Sequence, residues 1–181
     1  MTDTRIRRSV IGPLSGRSRN GFDLASRAAI VLAVVYAIPH IWWGLGIDLL
    51  APGDMRSDEG LGSNPVITFI AFYGMGALAL FSAVLTWLMT RTDRHPFPGW
   101  FLALHGWAIG VLLVLRGGIG LTETSLMVTG VRECPFMGCD VIGPGRDSIG
   151  MTGVFWEPLF VLWGAALLAT TAMWSRRPTS G

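Results

Sequence analysis

Four apolar runs, at about residues 26–49, 66–90, 99–121 and 153–174, fill most of the chain and are joined by stretches rich in Gly, Pro, Asp and Arg. At about 1.5 Å per residue, a helix made from any of them crosses a hydrocarbon core of roughly 30 Å. The runs are apolar on every side instead of alternating, so they read as helices and not as barrel strands. The expected fold is all-α, a four-helix transmembrane bundle over residues 26–174, with a disordered basic arm at 1–25 and a tail at 175–181. Trp42, Trp43, Trp100 and Trp174 fall near the expected interfaces, and Pro96, Pro98 and Pro178 interrupt the chain outside them.

Composition agrees with a lipid solvent. Hydrophobic residues make up 51% of the chain and charged residues 14%, too few charges to cover the surface of a soluble domain of this length. All 14 basic residues are arginine, a bias expected of a GC-rich, actinobacterial genome. All but Arg116 lie at or beyond the ends of the runs without forming one patch, so there is no footprint for nucleic acid.

The arginines also set an expected orientation. Arg5, Arg7, Arg8, Arg17, Arg19, Arg27, Arg91, Arg94, Arg176 and Arg177 fall on one side, against Arg56, Arg132 and Arg146 on the other. The positive-inside rule then places both termini in the cytoplasm of a bacterial cell and the two longer loops outside its cytoplasmic membrane. Arg7 and Arg8 faintly resemble a twin-arginine leader, but no small-residue cleavage site follows the first run, so a retained first helix is expected.

Ionisable side chains inside the runs are the strongest pointer beyond architecture, because they are costly at membrane depth and mark function. Counting from the run midpoints, Arg116 lies roughly 9 Å toward the outside, Glu157 roughly 10 Å and His40 roughly 3 Å. Opposite charges at matching depth on consecutive antiparallel helices are expected to pair, with His40 near enough to join through its ring or a water. Two readings follow. The pair is a structural clamp, or it belongs to an outward polar pocket that binds a small molecule or relays protons.

Pro39 removes a backbone donor and crowds the carbonyl of Val35, which is expected to kink the first helix and make room beside His40. Tyr36, His40 and Trp43 share one helical face and are candidates to line that room. His105 lies eleven residues before Arg116 on the same face, some 16 Å away, as part of a possible path or as a hydrogen-bonded core histidine. Gly74, Gly76, Ala79 and Ala83 form a small-residue stripe for close helix contact. Gly117, Gly118 and Gly120 read as a frayed or closely packed end of the third helix.

The long loop at about 122–152 holds both cysteines, Cys134 and Cys139, expected to form a disulfide on the oxidising side. No metal site is expected. Copper stays open because Met127, Met137 and Met151 share that loop, and a quinone stays open as a redox partner of the cysteines. Haem is not expected, since His40 and His105 differ by roughly 10 Å in depth, whereas two imidazole nitrogens on one metal lie about 4 Å apart.

Three segments resemble the recurring motifs of a family of small actinobacterial four-span membrane proteins of unknown function. They are Pro39-His40-Ile41-Trp42-Trp43-Gly44-Leu45-Gly46, Arg116-Gly117-Gly118-Ile119-Gly120 and Trp156-Glu157-Pro158-Leu159-Phe160. The resemblance implies the four-span fold and singles out these residues, but implies no activity, and the cysteine loop is not part of the pattern. Three function classes follow: a solute-binding or transporter-like bundle, a thiol or quinone redox protein, and a structural subunit beside a larger membrane partner or a second copy. No nucleotide loop, HExxH or nucleophile elbow points to another enzyme class, and the first reading is preferred.

Overall fold

The computed structural model describes residues 16–47, 49, 65–91, 96–133 and 152–176, and all regular structure among them is helical. Four helices are long and apolar enough to cross a membrane. They are α1 (Gly16–Leu45), α2 (Pro65–Thr90), α3 (Gly99–Val128) and α4 (Gly153–Ser175). Helices satisfy their own backbone donors and acceptors, which lipid cannot do for them.

Two helices are longer than their apolar runs. α1 begins at Gly16, so residues 16–25 are helical where a disordered arm was expected, and Phe22 and Ser26 are buried. α3 continues to Val128, seven residues past its apolar run. The hydroxyls in this continuation are satisfied within the helix, on carbonyls four residues back. Thr122 Oγ1 donates to the Gly118 carbonyl at 2.9 Å, and Ser125 Oγ to that of Leu121 at 2.7 Å. α3 then stops at Gly130, where φ is +73°, with Val131 N–H donating to the Leu126 carbonyl at 3.0 Å. α1 ends in the same way at Gly46, with φ +95°.

Wider π turns occur twice, at Ile70–Gly74 in α2 and at Thr152–Trp156 where α4 opens. The second precedes Pro158, whose ring crowds the carbonyl of Val154 and whose missing N–H breaks the ladder there.

α1 and α4 form the centre, with α2 packed on α1 and α3 packed on α4. Between lipid-bathed helices the drive to associate is close packing, so small residues decide the contacts. Buried Gly76 of α2 lies against the Ala37 carbonyl and His40 Cβ of α1, both 3.5 Å from where its own Cβ would be. Buried Gly106, Gly110, Gly117 and Gly120 form a seam on α3 that faces α4. A Cβ at Gly117 would stand 2.7 Å from the Glu157 carbonyl oxygen and 2.9 Å from the Val161 nitrogen. Of the two readings of this stretch, Gly117 and Gly120 are closely packed and not frayed.

α2 and α3 meet mainly near their short connection. There Leu85, Met89 and Leu102 form a small core with Phe97, Phe101 and Trp174. His105 Nε2 and Ser82 Oγ, 3.1 Å apart, bridge the two helices just beyond it. Past that bridge the pair separates.

Candidate functional site

Glu157 opens the α-helical part of α4 and lies against the bare backbone of α3. A Cβ at Gly120 would strike its carboxylate, so the glycine makes the space that the acid occupies. Glu157 is 2% exposed, while the Arg116 side chain is 54% exposed. Arg116 Nη1 donates to both carboxylate oxygens, at 2.9 and 2.8 Å, and the guanidinium carbon stands 5.4 Å from the Phe160 ring centre. The ion pair read from matching depth is formed. It is also lopsided, with the acid enclosed by protein and the base reaching outward.

Beside the pair stands an aromatic box. Tyr36, His40 and Trp43 of α1 pack on Trp156, Phe160 and Trp163 of α4. Ring centres lie 4.1 Å apart for Tyr36 and His40, 4.7 Å for His40 and Trp43, and 5.5 Å for Tyr36 and Trp163. His40 Nδ1 lies 2.9 Å from the Tyr36 carbonyl, and a carbonyl only accepts, so Nδ1 carries the proton. This bond runs back along α1. His40 is thus held by its own helix and the box, and not by the Arg116–Glu157 pair it was expected to join. Trp43 Nε1 donates to the Leu49 carbonyl at 2.9 Å, which ties the box to the end of α1. The indole N–H groups of Trp156 and Trp163 are buried and have no hydrogen-bond partner among the described residues.

Where α2 and α3 separate, they leave a cavity of about 520 Å³. Met75, Leu78, Ala79, Phe81 and Ser82 of α2 face His105, Ile109, Leu112, Leu113 and Arg116 of α3 across it, with Tyr36, Phe160 and Trp163 lining it from behind. Of the expected pocket residues, Tyr36 and Arg116 reach this cavity, while His40, Trp43 and Glu157 stand behind its wall. His105, read as part of a path or as a hydrogen-bonded core histidine, lies at the opposite end from Arg116, where it bonds Ser82. About 16 Å of α3 separates the two.

The α2 lining was not identified from sequence. Its only local signal is Ser82, a hydroxyl inside an apolar run, and that residue proves to be the partner of His105. Among the described residues no three His, Cys, Asp or Glu side chains gather as metal ligands. The expected pairing of Cys134 with Cys139 lies outside the described residues, and no disulfide occurs among those described.

A family described as a protein of unknown function, DUF3995, matches residues 33–167 of the chain. The chain belongs to DUF3995. The matched segment runs from within α1 to within α4, so the DUF3995 region contains the ion pair, the aromatic box and every residue that lines the cavity. With the four membrane-length helices, DUF3995 here denotes a multi-pass membrane protein of unknown activity. Searches of curated proteins and of solved structures return no match.

Proposed function

We propose that this protein is a ligand-binding bundle of the bacterial cytoplasmic membrane that holds a small molecule in the cavity between α2 and α3. One observation carries the reading. Arg116 lines the cavity with a guanidinium of which only Nη1 is engaged by Glu157, leaving Nη2 and Nε without partners among the described residues. A cavity that is mostly apolar, with a few converging polar groups, is the usual form of a small-molecule site, and its volume lies within the common range of about 300–1,000 Å³. Arg116 and Tyr36 supply donors at one end, and His105 with Ser82 closes the other.

The ligand is tested directly by releasing the protein from its membrane in polymer-bounded lipid discs and analysing what comes with it. The wild type carries a discrete compound at about one per chain, and filling the cavity with Ala79→Phe, or with Leu112→Trp should the first fail to fold, removes it. Identical contents in wild type and both filled variants overturn the reading.

In the same reading both termini are cytoplasmic, supported by the arginines that flank the helices. The cavity then spans the middle of the bundle, with His105 on the cytoplasmic side of the midplane and Arg116 on the outer side. After reduction, Cys134 and Cys139 on intact cells will react with a membrane-impermeant thiol reagent. Protection until lysis reverses the orientation.

A further inference from the structure

The shape and charge of this cavity narrow what it takes. Its mouth is lateral. Met75, Leu78, Phe81 and Leu112 line it and are also among the exposed large hydrophobics of membrane-length helices, so they form lips on the lipid side of the bundle. Behind them the Ser82–His105 bridge and the small core around Leu85 and Leu102 close the narrow end. A solute dissolved in water would have to cross those apolar lips to enter from the side. A molecule dissolved in the bilayer enters between α2 and α3 without leaving lipid.

The head group follows from charge accounting. Arg116 already balances Glu157, whose buried carboxylate lies 2.8 Å from Nη1, and the Glu123 carboxylate is near enough to act on Glu157 as well. A ligand anion on the free edge of Arg116 would add a second negative charge beside Glu157 at low dielectric, which is unfavourable. An uncharged oxygen adds none. Arginine has donors and no acceptor, and the free Nη2 and Nε point the site toward a ligand that accepts. The Tyr36 hydroxyl, which makes no hydrogen bond among the described residues, can donate to the same group.

We infer that the cavity binds a bilayer-dissolved amphiphile with an uncharged carbonyl or ester head, seated on Arg116 with its apolar body along Ile109, Leu112 and Leu78. This rests on the reading of the cavity as a ligand site. Glu157 acts as the residue that selects head-group charge, through Arg116 and without touching the ligand.

Binding of methyl oleate and of the permanently charged oleyl sulfate, which share one chain, is measured on protein in phosphatidylcholine nanodiscs against empty discs. Wild type binds methyl oleate at least about tenfold more tightly than oleyl sulfate, the lower end of what one misplaced charge contributes. Glu157→Gln removes the competing charge and reverses the order, whereas Arg116→Gln weakens methyl oleate about tenfold. Preference of the wild type for oleyl sulfate, or an order that Glu157→Gln leaves unchanged, overturns the inference. Should Glu157→Gln not fold, the wild-type order alone decides. If neither probe binds while a compound is still released with the discs, the head-group class is wrong and the ligand site stands. If neither binds and nothing is released, both fall.

Discussion

Arg116→Leu will cost the bundle about 3–5 kcal/mol, the usual penalty for stranding one member of a buried ion pair. Glu157 is 2% exposed and Arg116 Nη1 is its hydrogen-bond partner, so the enclosed acid is left with nothing to balance it. Glu157→Gln will cost less. The glutamine oxygen can still accept from Arg116 Nη1, and the Arg116 side chain, 54% exposed, is not enclosed as the acid is. Changing both residues to leucine will recover most of the loss, since an uncharged pair of similar volume needs no desolvation. Thermal unfolding of the purified variants in one detergent ranks them. If Arg116→Leu proves no worse than Glu157→Gln, the asymmetry of the pair is wrong.

The second large effect belongs to two neighbouring glycines. Gly117→Ala will destabilise by about 1–3 kcal/mol, the range for overpacking a tight contact, because the new Cβ meets the backbone of α4 at 2.7 and 2.9 Å. Backbone atoms cannot turn aside as the end of a flexible side chain can, so α3 and α4 must move apart. Gly118 has nothing within 4 Å of the same construction. Gly118→Ala will therefore be neutral or stabilising by up to about 1 kcal/mol, as expected for a glycine replaced inside a helix. Gly164→Ala repeats the test from the other side, where Gly110 O stands at 2.7 Å. Equal melting shifts for positions 117 and 118 would show that the seam is loose.

Much of this was legible in the chain. The four helices follow from run length and apolarity alone, and α2 and α4 begin and end within one residue of their runs. Helix ends set by hydrogen bonding were not. Thr122 and Ser125 lie in α3 beyond its apolar run with their hydroxyls satisfied on carbonyls four residues back, and hydropathy scores them as loop. Depth counting brought Arg116 and Glu157 together correctly, because adjacent antiparallel helices translate sequence distance into depth. It said nothing about rotation around each helix. For that reason it placed His40 with the pair, when its ring turns back to the Tyr36 carbonyl, and could not say that Ser82 is the partner of a hydrogen-bonded His105. The cavity was illegible for a related reason. It arises from the unequal contacts among four helices, with α2 held to α1 and α3 held to α4, and no single helix records that gap.

A ligand held in the space between α2 and α3 can be caught in place. Photolabelling in native membranes with a diazirine-bearing fatty ester, followed by mapping of the modified peptides, tests it at residue level. Label will concentrate on residues 75–82 of α2 and 109–116 of α3, and will be lost from both when Ala79→Phe or Leu112→Trp fills the cavity. Label spread evenly over the lipid-facing sides of all the helices, and unchanged in the filled variants, would contradict it.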